Sequence, residues 1–396
     1  MRLLSSRMQT MNMAGGLYDI YQKALRMEAE GKSIIHMEIG RPDFDSPKEA
    51  KEATIQALNN GEVHYTAMSG IPELRKAICD KEFKANGIVA DPDKEIVVTA
   101  GACEALISVM MAILDPGEEI MIPSPYFSAY EEIAHIIGVK LNDVPLSLEN
   151  NFELRVEDLE AHYNPNVKAV LINTPSNPSG AVVSESELVK IAAFAQEKDI
   201  LVISDETYDQ FLFEGVHKSI STLPGMKERT IVINSTSKVF SMTGWRVGYA
   251  ITPAALMPYV NKIHQNMSTC ATSFVQYGAA EAYRSCGEFT RNMVQEFKER
   301  RDIIVDALKQ CDKIEFSVPQ GAFYIFPKLD VEKFNIYDDE KFALDLLREK
   351  RILIVHGGGF NWGQPDHFRV VYLPRIADLE KATKKLGEFL DGYHQK

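Results

Sequence analysis

Six short runs of β-branched and aliphatic residues constrain the fold of this chain more than any other feature. They are EIVVT (95–99), EIMIP (119–123), AVLIN (169–173), ILVIS (200–204), TIVIN (230–234) and VGYAI (247–251). A strand with one solvated face alternates apolar and polar residues, and these runs are too continuously apolar for that. They suit parallel strands covered by helices on both faces. The intervening stretches supply the helices. SESELVKIAAFAQEKD (184–199) opens on serines that can cap a helix N-terminus and continues with apolar residues at helical spacing. The pattern predicts a doubly wound, mostly parallel α/β sheet over residues 46–280.

Beyond residue 280 the pattern changes. A long charged helix, GEFTRNMVQEFKERRDIIVDALKQ (287–310), precedes strand candidates AFYIFPKL (322–329), RILIVHG (351–357) and HFRVVYL (367–373). A second, smaller α+β domain is expected here, because 396 residues exceed what one hydrophobic core usually serves. The first 45 residues cannot form a core alone. They are expected to pack against residues 281–396 or against a neighbouring subunit.

Charge and cysteine content narrow the function. With 43 Lys and Arg against 56 Asp and Glu, the formal charge of -13 argues against nucleic acid and anionic membrane as partners. No stretch of about 18 apolar residues could form a membrane helix. The N-terminal sequence has no apolar core of a signal peptide, which predicts a cytoplasmic protein. Five widely spaced cysteines with no C-x-x-C pair suggest neither a disulfide framework nor a zinc site, and no metal is expected.

Ligands of open α/β sheets gather at the carboxyl ends of the strands, so the residues following each run carry the functional signal. EIVVT leads into AGACEAL, where small residues around Gly101 open a helix; its backbone N–H groups could hold a phosphate, or the stretch could be a plain tight turn. AVLIN leads into TPSNPSG, whose prolines and glycine shape a turn that aims Asn177. ILVIS leads into DETY, placing Asp205 at the end of a buried strand, where a carboxylate needs a cationic partner or caps a helix. TIVIN leads into STSKVFSMTGWRVG, in which Ser235 and Ser237 flank Lys238 and Arg246 follows. Hydroxyls and a guanidinium suit a phosphate, and a buried lysine beside a cation has the lowered pKa that Schiff-base chemistry needs. A phosphate cradle, an acid for a ring nitrogen, a ring-contacting amide and an amine nucleophile are together the requirements of pyridoxal 5'-phosphate.

From GRPDFDSP through HYTAMSGIPELR, NPSG, DETY and SKVFSMTGWRVG to FRVVYL, the chain resembles the fold type I, class I/II pyridoxal phosphate-dependent aminotransferases of aspartate/aromatic type. The resemblance implies that Lys238 is the Schiff-base lysine and acid–base group, that Asp205 pairs with the pyridinium nitrogen, and that Asn177 and Tyr208 bond the ring hydroxyl oxygen. Ser235, Ser237, Arg246 and the backbone of Gly101, Ala102 and Cys103 would bind phosphate. Phe127, rather than Tyr126, would stack on the ring. Tyr65 would reach a neighbouring subunit's phosphate, which implies a homodimer with shared sites. Arg369, with the backbone of Gly40 and with Asn177, would hold the substrate α-carboxylate. The reaction implied moves the amino group of an L-amino acid to a 2-oxo acid through Schiff-base and pyridoxamine phosphate intermediates.

Two rival readings remain within that resemblance. A carbon–sulfur lyase of the same fold breaks a different bond after the same first step, and an aminotransferase-like regulatory module binds the cofactor without turnover. Cys103 stands where some aspartate-specific relatives carry a lysine for the distal carboxylate. Arg41, Tyr18 and His356 are further residues that could face the substrate.

Overall fold

The apolar runs become the centre of a seven-stranded sheet. The structure is a computed structural model that describes residues 3–11 and 17–396, with side chains from residue 20 onward in the second segment. In chain order the strands are β1 (Ile35–His36), β2 (Ile96–Thr99), β3 (Glu119–Ser124), β4 (Lys140–Pro145), β5 (Val167–Asn173), β6 (Leu201–Asp205), β7 (Thr230–Ser235) and β8 (Gly248–Ile251). There follow β9 (Ile314–Glu315), β10 (Tyr324–Ile325), β11 (Lys328–Leu329), β12 (Ile352–Leu353), β13 (Val355–His356) and β14 (Phe368–Val371). The large sheet has the order β2-β8-β7-β6-β5-β3-β4.

Alternate residues of the central strands feed opposite cores, which explains their continuous apolar character. Ala169 and Leu171 of β5 pack under the helices Ala102–Ile113 and Ala129–Ile137. Val170 and Ile172 pack on the other face, with the helix Glu185–Glu197. Each fully buried branched side chain contributes roughly 1.5–3 kcal/mol. Ser184 caps that last helix as its sequence suggested, its hydroxyl accepting from the Glu187 N–H.

Two strands depart from a reading of six parallel runs, one in direction and one in having no apolar run. β8 runs antiparallel to both β2 and β7. A parallel return needs a full crossover helix, and residues 236–247 are spent on two single-turn helices, Thr236–Val239 and Thr243–Trp245. The edge strand β4, KLNDVP, was not among the six runs. Only Val144 of it is buried, and Asn, Asp and Pro are tolerated there because one side of an edge strand needs no partner.

The charged helix forms as expected, over Gly287–Leu308, and buries Met293, Phe297, Ile304 and Leu308 at helical spacing. These pack with Phe323, Phe342, Phe368, Val370 and Leu386 in a separate core. The strands there are shorter than their sequences suggested. AFYIFPKL divides into β10 and β11 around Pro327, which has no N–H to continue a ladder. From the N-terminal segment, Ile20, Ala24 and Met37 join the same core, and β1 pairs in parallel with β12. The short helix Ser6–Thr10 goes elsewhere: Arg7 Nη1 donates to the Ile136 carbonyl (2.6 Å), on a helix of the large sheet. Among the described residues, no helix is long and apolar enough to cross a membrane.

Candidate active site

A cavity of about 250 Å³ opens where the parallel strands end. Each strand delivers its predicted residue there: β2 leads to Ala102 and Cys103, β3 to Phe127, β5 to Asn177, β6 to Asp205 and Tyr208, and β7 to Ser235, Ser237 and Lys238. The antiparallel β8 delivers Arg246 by a different logic. Its first residue, Gly248, lies opposite both Ser235 and Thr99, so the entry to β8 sits at the edge where its parallel neighbours finish. A Cβ on Gly248 would lie 2.5 Å from the Ala102 nitrogen, and a Cβ on Gly101 2.2 Å from Arg246 Nη2. Two glycines thus let the guanidinium lie against the N-terminus of the helix Ala102–Ile113, a cradle suited to an anion. Arg246 Nη2 also donates to the Ala100 carbonyl (3.2 Å).

Lys238 projects from the single turn Thr236–Val239, whose N-terminus is capped by the Ser235 hydroxyl accepting from the Ser237 N–H (3.3 Å). Its amine donates to the Gly40 carbonyl (2.5 Å). Burial, reinforced by the positive charges of Arg369 and Arg246, lowers its pKa to about 8. Asp205 is buried and accepts from the Tyr130 hydroxyl (2.7 Å), the Thr207 hydroxyl (2.6 Å) and the Thr207 N–H (3.1 Å). It has no salt-bridge partner among the described residues, and burial raises its pKa above the usual carboxylate range against the lowering by Thr207 and Tyr130.

Arg369 enters from β14 and is 3% exposed. Nη1 donates to Asn177 Oδ1 (2.9 Å), Nη2 donates to the Glu38 carbonyl, and Nε has no partner among the described residues. The guanidinium lies 4.7 Å from the Tyr324 ring centre and 4.4 Å from that of Phe360, and no carboxylate bridges it among the described residues. The Tyr208 and Tyr324 hydroxyls share a hydrogen bond of 2.7 Å. Gly40 belongs to the wall; a Cβ there would lie 2.0 Å from the Tyr324 hydroxyl.

Two predicted residues stand apart. Gly101 is one residue behind the wall, and Tyr65 is 84% exposed, away from this cavity. Tyr126 is buried outside this lining, its hydroxyl accepting from Asn361 Nδ2 (2.5 Å), so of the two candidates for stacking on the ring Phe127 is the one on the cavity. Arg41 is exposed and faces a neighbouring cavity, and buried His356 lies beside Asp339, with Nδ1 3.5 Å from its carboxylate. Tyr18 lies outside the residues whose side chains are described. Sequence reading missed Tyr130, Thr207 and Tyr324. The first lies three residues after Phe127 and the second two after Asp205, spacings that local geometry brings back to the same place. Tyr324 has no such local signal.

These residues fit pyridoxal 5'-phosphate. The Arg246 cradle and two serine hydroxyls suit its phosphate, the buried unpaired Asp205 suits a protonated ring nitrogen, and the Lys238 amine suits its aldehyde. The family described as Aminotransferase class I and II matches residues 32–386, a span that contains every residue lining the cavity. An aspartate aminotransferase of Pyrococcus abyssi is 38% identical, the match covering 93% of this chain and 95% of that protein. Aromatic-amino-acid aminotransferase 2 of Thermococcus litoralis is 36% identical, over 91% and 92% of the two chains. The crystal structure of the aspartate aminotransferase from Rhizobium meliloti superposes with a TM-score of 0.92 at 32% identity, covering 98% of this chain and 99% of that one. With the cavity, its residues and these likenesses in agreement over nearly the whole chain, this protein belongs to the class I and II aminotransferases, a pyridoxal phosphate-dependent family.

Proposed function

We propose a division of labour among the cavity residues for moving an amino group from an L-amino acid to a 2-oxo acid. One observation carries it: a lysine of depressed pKa, a buried carboxylate and a buried guanidinium, the last two without counter-ions, converge on a single cavity. When bound, pyridoxal 5'-phosphate supplies a ring that accepts the electron pair left when the substrate Cα–H bond breaks. Asp205 holds the proton on the ring nitrogen, Tyr130 and Thr207 orient Asp205, and Asn177 and Tyr208 contact the ring oxygen. Ser235, Ser237, Arg246 and the backbone of residues 101–103 hold the phosphate. Phe127 covers the ring. Arg369 would bind the substrate α-carboxylate, and the Lys238 amine would hold the cofactor's aldehyde and, as base and acid in turn, carry the proton of the substrate Cα.

A pH dependence follows from the same lysine. Only its free-base form attacks an aldehyde, and its folded-state pKa is about 8. Below that pH the reactive fraction falls about tenfold per unit. The rate at which apo-protein takes up pyridoxal 5'-phosphate, followed by absorbance, is expected to rise through about pH 8 and level off above it; a midpoint near 10.5 would contradict the buried environment.

Aspartate and the aromatic amino acids, the substrates in the relatives' names, share the α-carboxylate that Arg369 is placed to meet. Among the described residues the cations lining the cavity are Lys238, Arg246 and Arg369, each with a role already, and Cys103 occupies the second position of the helix Ala102–Ile113. A distal carboxylate would therefore need a cation from beyond this wall. Tyr65 and the exposed Ile55, Leu58, Val63 and Met68 around it in sequence support a homodimer in which Tyr65 completes the partner's phosphate site. The same reading divides the chain into a cofactor domain (46–280) and a small domain (1–45 with 281–396), in a cytoplasmic enzyme using dissolved substrates.

Adding amino acids singly to the purified holoenzyme, without any oxo acid, tests the function. Loss of the long-wavelength cofactor band with release of a 2-oxo acid identifies the donor. Release of ammonia and pyruvate from a sulfur amino acid would assign the carbon–sulfur lyase reaction instead.

A further inference from the structure

We propose that His36 and Glu38 are a charge-compensated pair behind Arg369, positioning residues that keep its guanidinium available to an incoming carboxylate. The proposal rests on the reading of Arg369 as the carboxylate-binding group. Residues 35–40 run from β1 into the active-site wall, and the backbone is pinned on both sides: Met37 donates to the Leu353 carbonyl (2.9 Å) and accepts from the Val371 N–H (3.0 Å). The next carbonyls do the work of the site. That of Glu38 accepts from Arg369 Nη2, and that of Gly40 from Lys238.

The Glu38 side chain is the anomaly. It is 1% exposed and, among the described residues, its Oε2 has no partner and its Oε1 faces only His36 Nδ1 (2.8 Å). The other ring nitrogen of His36 faces Glu28 Oε1 (3.1 Å). With a carboxylate at each nitrogen, both act as donors and the ring carries a positive charge. Its pKa rises to about 9, chiefly through the hydrogen bond to Glu38. The edge of Tyr21 (6.2 Å) also faces this ring. A polar cavity of about 580 Å³ adjoins it, lined further by Arg41, Asp43, Arg375 and Asp378. Ile39 is the wall between that cavity and the active site.

The negative charge of Glu38 acts on Arg369 through the protein interior. Uncompensated, it would satisfy the guanidinium and compete with the substrate carboxylate, because a buried charge is screened little by solvent. Protonated His36, whose other nitrogen faces the exposed Glu28, offsets it. The buried acid then serves the backbone geometry without occupying the cation.

The test compares wild type, His36→Gln, Glu38→Gln, the double variant and Arg369→Gln as holoenzymes between pH 6 and 10. Two unreactive carboxylates, maleate and 3-phenylpropionate, serve as probes, their dissociation constants read from the cofactor absorbance, alongside KM and kcat for the donor. At pH 7, His36→Gln is expected to weaken carboxylate binding and raise KM by roughly three- to tenfold, with kcat within about twofold. Glu38→Gln in that background restores the affinity, a rescue that a merely structural role does not produce. Wild-type affinity falls as pH rises through about 9, and this inflection is absent from all His36 and Glu38 variants. Failure of the rescue, or persistence of the inflection in His36→Gln, overturns the pair. Should His36→Gln not fold, Glu38→Gln alone decides, since it must keep wild-type affinity and lose the inflection. Unchanged carboxylate affinity in Arg369→Gln would instead overturn the underlying reading of Arg369.

Discussion

Lys238→Ala is expected to abolish turnover, lowering kcat on the order of 10⁴- to 10⁶-fold, because in the proposed division of labour one amine serves as nucleophile toward the cofactor and as the base and acid for the Cα proton. The environment of the amine is what suits it to both tasks. Burial and the charges of Arg369 and Arg246 bring its pKa to about 8, so a substantial free-base fraction exists near neutrality. Removing the side chain also removes the donor to the Gly40 carbonyl and leaves a hole in an already open cavity, which costs little stability. The measurement is kcat of the purified variant after saturation with cofactor, with single-turnover kinetics to detect residual chemistry. Turnover within tenfold of wild type would show that another base performs the proton transfer.

Asp205→Asn is expected to lower kcat by about 10²- to 10⁴-fold while the protein still takes up cofactor. Asparagine is isosteric and can keep the contacts with Tyr130 and Thr207, so the loss isolates the carboxylate charge that holds a proton on the ring nitrogen. The same substitution has an opposite effect on stability. The folded-state pKa of Asp205 lies above its unfolded value, so its ionised form costs stability at every pH above that folded value. The variant apo-protein is expected to melt at a higher temperature than wild-type apo-protein at pH 7, and to gain less from added cofactor. An equal or lower apo melting temperature would show that the carboxylate already has a compensating partner. In the proposed division of labour the residue is held at a cost in the empty site because its partner is the ligand.

Legibility in the sequence followed the range of the interactions. Lys238, Asp205, Asn177, Ser235 and Ser237 lie within a few residues of strand ends, and a buried parallel strand announces itself through continuous apolar residues, so both could be read from local pattern. Cofactor and reaction class came from the resemblance that those stretches carry, and the family match agrees with it. The edge strand β4 and the antiparallel direction of β8 escaped, because edge position and direction are set by neighbours rather than by the strand's own residues.

What the sequence by itself determined is the layered sheet and the set of chemical groups at its carboxyl edge, since alternation of apolar runs with capped helices admits few other arrangements. Only the tertiary structure decided how the remote groups meet them. Arg369 and Tyr324 come from strands more than a hundred residues beyond Asp205, and Gly40 and Glu38 come from a segment held against those strands by β1 and β12. The compensation of Glu38 by His36 also belongs to the tertiary level. The burial that makes an unpaired charge costly, and a partner necessary, exists only once the N-terminal segment has packed against β12 and β14.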